Sequence, residues 1–279
     1  MNNWNYIWIA RITTVAFLSA AMLTSCSKED EVVNDPGPAP VVPPAATFAM
    51  DFSTFPTEDE ASNGRIEESK VHYGYAAINF VFWQSWLTVH LAIPVVAFKA
   101  ALEQEATYIP AEQRWVWSYE VSEGQHTYEA DLYAKVTDGS VKWEMYVSKS
   151  GGFQDFMWYK GTSALDGTEG SWTVSIEPEK NAREGLLIEW EKEDDEIASI
   201  SYTSIDQGSE NEDSYITYGK TSETDFDSFY HVYISSEENL MKIDFNSETK
   251  AGRVQSAKYF QDDAWHCWSS QLVDIDCEN

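Results

Sequence analysis

The chain has 279 residues with 18 basic and 47 acidic side chains, a net charge of −29 with histidines neutral. A charge of that sign repels phosphate backbones and anionic head groups, which disfavours nucleic-acid binding. The length suits one large all-β domain as well as two smaller ones, and it allows a sizeable core.

Residues 1–25 have the layout of a secretory signal: Arg11 in the start, an apolar run from Ile12 to Leu23, then small residues at the cut. A twelve-residue run is too short to span a bilayer, which needs about 20. Leu23-Thr24-Ser25-Cys26 resembles a bacterial lipobox, in which cleavage precedes Cys26 and its sulfur carries a diacylglycerol. The next tetrad, Ser27-Lys28-Glu29-Asp30, resembles the export signal of Bacteroidota-type lipoproteins. The resemblance implies a lipid-anchored protein of the outer membrane, exposed at the cell surface, with Lys28, Glu29 and Asp30 as the address. Two or more acyl chains hold a protein stably on a membrane where one is marginal. Cleavage takes away Arg11 and leaves 17 bases against 47 acids, a net charge of −30.

Residues 26–46 read as a tether. Pro36, Pro38, Pro40, Pro43 and Pro44 favour an extended spacer of about 3.1 Å per residue. A single β-rich domain over 47–279 is expected to begin at Thr47, where Phe48, Met50 and Phe52 alternate with small or polar residues.

Tyr73 to Phe98 carries no charged side chain apart from His90. Its length makes it a membrane-span candidate. Asn79, Gln84, Ser85, Thr88, His90 and Pro94 interrupt it, which favours burial inside the domain. Proline is tolerated in the first turn of a helix, so the expectation is two helices within 74–106, from Gly74 to Leu91 and from Pro94 to Ala106. The first is apolar nearly all round and needs cover on most of its surface, and Trp83 and Trp86 within it read as core.

Over 114–275 the pattern changes to period two. Val141, Trp143, Met145 and Val147 alternate with polar residues, as do Trp172, Val174 and Ile176, and Leu186, Ile188 and Trp190. Asp138-Gly139 and Asp166-Gly167 are dipeptides of tight hairpins, in which both central residues take positive φ. The expected fold is an all-β, antiparallel up-and-down meander of about 10–12 strands. Such a meander must close or split to hide its edges, so it is expected to close into a barrel with the apolar helix packed in or against it. A two-sheet sandwich is the alternative.

The chain has twelve tryptophans, which invites a sugar-stacking reading, but Trp143, Trp172 and Trp190 fall on apolar strand faces and read as core. Tyr133 and Tyr146 fall on the polar face, and Trp265 and Trp268 on opposite faces of one strand. With His266 these make the ligand-binding candidates. Cys267 and Cys277 form a possible disulfide if the chain reverses between them. No zinc-ligand spacing, EF-hand loop, phosphate loop, dinucleotide fingerprint or nucleophile elbow appears, so no metal, cofactor or catalytic residue is assigned. The acids at 193–196, Asp225 with Asp227, and Asp274 with Asp276 leave open a glycan-acting hydrolase using two of them.

The body also resembles a family of uncharacterised lipoproteins of the same bacterial type. The resemblance lies in Met50-Asp51-Phe52, the stretch 115–119, Lys142-Trp143-Glu144-Met145-Tyr146, the stretch 250–254 and Trp265-His266-Cys267-Trp268, and it imports no activity. The functional expectation is a non-catalytic binding or interaction role on a membrane, with a glycan, a hydrophobic ligand or a protein as partner. A carrier of a hydrophobic small molecule is the first alternative.

Overall fold

A computed structural model describes residues 36–48, 52–55, 69–123, 125–177, 180–193 and 196–277. The signal segment, Cys26, Lys28, Glu29 and Asp30 lie outside them. Among the described residues one α-helix, α1 (Val71–Ala101), precedes fourteen strands. These are β1 (Thr107–Ile109), β2 (Arg114–Glu123), β3 (His126–Thr137), β4 (Ser140–Lys149), β5 (Phe156–Ala164), β6 (Glu169–Ile176) and β7 (Arg183–Glu193). They continue as β8 (Glu196–Ser204), β9 (Tyr215–Lys220), β10 (Ser228–Ile234), β11 (Asn239–Phe245), β12 (Gly252–Gln255), β13 (His266–Trp268) and β14 (Asp274–Ile275). A short helix, α2 (Ala257–Phe260), links β12 to β13.

Each strand pairs antiparallel with its neighbours in sequence, in one sheet ordered β1 to β14. Apolar residues at alternate positions face a common core, as at Val141, Trp143, Met145 and Val147. Gly139 and Gly167 take positive φ in their turns, whereas Asp138 and Asp166 do not, so only one residue of each dipeptide is left-handed. Register shifts at Met145/Tyr146, Val174/Ser175 and Glu191/Lys192 add local bend to a sheet that is already twisted.

The expected closure into a barrel does not occur: the strand order runs from β1 to β14 without the two ends pairing. The reason lies in β14. Its backbone N–H at Asp274 donates to Ser69 O, and the Asp274 carboxylate accepts from the N–H groups of Val71 and His72, each at 2.9 Å. The last strand is thus committed to the start of α1, where a carboxylate satisfies two otherwise orphaned helix donors. The helix then runs from β12–β14 to β2 and β3, packing on both ends of the sheet. Cys267 and Cys277 are joined by a disulfide across a Cα separation of 5.2 Å.

The two expected helices are one continuous helix, bent by 56° between Val71–Ala92 and Pro94–Ala101. Pro94 lacks an N–H, and its ring crowds the carbonyl one turn earlier, which bends the helix without ending it. No single straight helix among the described residues is long and apolar enough to cross a membrane. The side bearing Phe80, Trp83, Leu87 and Leu91 is buried.

Ordered packing begins upstream of Thr47. Ala39, Val42 and Ala45 already lie against the core. Phe48 sits among Phe98, Tyr159 and Trp172 at ring separations of 4.7–4.8 Å, while Thr47 Oγ1 accepts from Trp172 Nε1 at 3.1 Å. A second aromatic knot joins Phe55, Phe80, Tyr230 and Phe245.

Candidate functional site

An apolar helix laid on one sheet can be covered on one side only. The opposite side of α1 exposes Phe82, Val89 and Val96 in a stripe, with Val89 three-quarters exposed. Open apolar pockets flank that stripe. The larger, of about 340 Å³, lies between α1 and the β8–β9 and β10–β11 connections. Ile78, Phe82, Trp83, Trp86 and Ile234 supply its apolar walls. The smaller, of about 220 Å³, is lined by Leu87, Leu91, Val95, Phe52 and Tyr202.

The larger pocket is held by short-range contacts. Trp83 and Trp86 are one turn apart with ring centroids at 5.8 Å, and His90 stacks on Trp86 at 4.3 Å while its Nδ1 bonds Trp86 O. The hydroxyls of Ser214 and Ser235 meet at 3.0 Å and tie the two connections together. Trp83 Nε1 is buried without a hydrogen-bond partner among the described residues. Asn79 donates from Nδ2 to Tyr75 O. Among the described residues Glu237 is the only charged one in the lining. An apolar cavity of this size with a few polar groups at its edge matches the usual form of a small-molecule site.

The sequence-predicted candidates are not brought together. Tyr133 and Tyr146 lie on the outer face of β3 and β4, edge to face at 5.9 Å, with the Arg114 guanidinium 3.6 Å above Tyr133. Burial, with Asp131 second, pushes the Tyr133 hydroxyl's pKa up, and burial with Glu144 does so for Tyr146. Trp265, His266 and Trp268 belong to the opposite end of the strand order. Trp268 is core, its Nε1 donating to Lys250 O at 2.9 Å, so it is no ligand platform. Trp265 stacks against the Arg253 guanidinium, which Asp244 also holds. His266 stacks on Phe260 at 3.8 Å and bonds Asp262, a contact that lowers the Asp262 pKa. His72 stands 5.0 Å from His266, its Nδ1 donating to Cys267 O.

Three of the acidic residues considered for hydrolysis have partners of their own. Asp227 accepts from the N–H and hydroxyl of Ser247, Asp274 caps α1, and Glu196 pairs with Lys220. Among the described residues no group of three His, Cys, Asp or Glu is placed to hold a metal ion. An open groove of about 510 Å³ is lined by hydroxyls and by Glu169, Glu189 and Glu191, and Glu169 lies directly opposite Glu191.

Sequence reasoning missed Phe82, Ile234 and Glu237. The signal for Phe82 was present, since a helix apolar on every side exceeds what one sheet face can cover. Ile234 ends β10 and Glu237 lies in the turn after it, and neither carried a comparable signal. The chain matches no family model, no curated protein and no solved structure.

Proposed function

We propose that this chain is a lipid-anchored, surface-exposed lipoprotein of the outer membrane with a non-catalytic binding role. Its binding element is the apolar pocket beside α1, which takes the hydrophobic part of a small molecule. The lipobox at Cys26 and the tetrad through Asp30 support the anchor and address. The observation that carries the binding role is the pocket of about 340 Å³ walled by Phe82, Trp83 and Trp86, left open although the rest of the core is filled with aromatic rings.

Two tests separate the parts. Cys26→Ala is expected to abolish palmitate labelling and release the protein from the membrane fraction, and unchanged membrane association defeats the anchor. Replacing Lys28, Glu29 and Asp30 by alanine is expected to remove protease accessibility on whole cells. For the pocket, the chain from residue 26 carrying Cys26→Ala is titrated with the neutral dye Nile red. Phe82→Ser and Ile234→Ser are each expected to weaken binding several-fold while Phe82→Ser leaves the melting temperature within a few degrees. Equal dye binding in all three proteins excludes the pocket.

A further inference from the structure

The exposed side of α1 is a face without charge, and the chain in front of it limits what can cover it. Phe82, Ser85, Val89, Ala92 and Val96 are all exposed, at alternating spacings of three and four that set them on one line along the helix. From Tyr73 to Phe98 the one ionisable side chain outside the tyrosines is His90, in a protein of which 23% of the residues are charged. The two apolar pockets open on either flank of this line. Contiguous exposed apolar surface marks contact with a protein partner or with lipid.

Outside the described residues, the stretch 56–68 offers Ile66 as its one large aliphatic side chain among five acids, a composition that suits water better than this face. A second copy would bring its own net charge of −30, from 17 bases against 47 acids, up to the first. Lipid acyl chains bring no charge, and the anchor keeps them close. The described domain starts at Pro36, ten positions after Cys26, and ten residues reach at most about 36 Å when fully extended. The segment that follows leads to α1 itself. Phe48 packs on Phe98 at 4.7 Å, Phe52 on Phe80 at 5.5 Å and Phe55 on Phe80 at 4.5 Å. A tether this short makes a second contact with the same membrane intramolecular, so a patch too weak to hold a free domain suffices.

We infer that the exposed line of α1 rests on the membrane that holds Cys26, with Phe82, Val89 and Val96 at the boundary of head groups and acyl chains. This rests on the lipid anchor proposed above. Both pockets then open onto lipid, and a hydrophobic ligand enters them from the membrane instead of from water.

The test reads single cysteines with a membrane-impermeant maleimide on the lipid-modified chain, reconstituted in neutral phosphatidylcholine vesicles. Cys267 and Cys277 are joined and Cys26 carries the lipid, so an introduced thiol is the free one. Ser85→Cys reports the exposed line, and Glu189→Cys, on the outer face of β7, gives the outward-facing fraction. On vesicles Ser85→Cys is expected to label at least ten-fold more slowly than Glu189→Cys. In the soluble chain from residue 26 carrying Cys26→Ala, the two are expected to label alike. Adding Val89→Glu should restore fast labelling of Ser85→Cys on vesicles, because a carboxylate is costly to bury against lipid. If Ser85→Cys labels equally fast on vesicles and in solution, the lipid contact falls and the anchor stands. If it stays slow in the soluble chain, a second copy or another protein covers the face, and the inference falls. If the lipid-modified chain does not stay on the vesicles, the anchor falls, and the inference with it.

Discussion

Trp268 occupies the space that a side chain at Gly252 would need. The two residues are partners across β12 and β13, and a β-carbon at position 252 would stand 2.2 Å from Trp268 Cζ2 and 2.7 Å from Asp244 O. The same arrangement recurs at Gly161 with Trp172 and at Gly170 with Trp190, each glycine directly opposite its tryptophan. Three of the largest core side chains thus lie over glycine backbone rather than over another side chain. An indole lying across a bare cross-strand position keeps water off that backbone and fixes strand register, which offsets the poor strand propensity of glycine.

Gly252→Ala should therefore overpack the core and cost about 1–3 kcal/mol. In a domain of this size that lowers the melting temperature by about 2–4 °C per kcal/mol. Combining it with Trp268→Phe should cost less than the sum of the two single changes, because the smaller ring vacates the contested space. A Gly252→Ala protein that melts with the wild type would contradict the close approach.

The disulfide and the helix cap should be energetically coupled. Cys277→Ser opens a loop of about ten residues and is expected to cost about 2–3 kcal/mol. Asp274→Ala strands the N–H groups of Val71 and His72 and is expected to cost about 0.5–2 kcal/mol. Both loosen β14, one from β13 and the other from α1, so the double variant should lose less than the two together. Strict additivity in chemical denaturation would show that the two act independently.

Buried and outward aromatic residues should differ sharply. Trp172→Ala removes a fully buried ring that contacts Phe48, Phe98 and Tyr159, at an expected cost of about 3–5 kcal/mol. Tyr146→Ala, on the outer face, is expected to cost less than about 1 kcal/mol. Equal costs in urea melts would place Tyr146 in a core that the strand alternation denies it.

Stability should also rise with pH through the histidine range. Burial, assisted by Lys242, lowers the His231 pKa below its ordinary 6.5, against an opposing pull from Asp244. The unfolded chain then binds more protons than the folded one between the lowered value and 6.5. This contribution is complete above pH 6.5 and is lost as pH falls toward the folded-state value. His231→Gln should flatten that part of the stability profile, measured by denaturation at pH 5, 6 and 7. A profile of unchanged slope would assign the dependence to other groups.

The strands were legible because alternation is local. Trp143, Trp172 and Trp190 fall inward by counting alone, and the glycines at 139 and 167 mark their turns. The kink at Pro94 was legible as an interruption, but its outcome was not. A proline ends a helix or bends it according to what packs on either side, and Phe98 packs beyond the break. Closure was illegible for a different reason. Whether the last strand returns to the first depends on Asp274 finding Val71 and His72 some 200 positions away, a contact with no local trace. The pocket is likewise made by three segments distant in sequence, and the spread of Tyr133, Tyr146, Trp265 and His266 across the sheet follows from the meander placing β3 and β13 far apart.

The position of α1 ahead of all fourteen strands sets an order of events during synthesis. Every strand pairs with the one just made, so the sheet can grow as the chain emerges. The helix cannot wait so comfortably. Its far half can settle on β2 and β3 early, but the contacts that cap its first turn come from β13 and β14, among the last pieces to arrive. During that interval a helix without charge along most of its length is only partly covered, and such a segment is what aggregates or recruits a chaperone. Among these elements, α1 is the first to leave the ribosome, and its first turn is among the last parts to be covered.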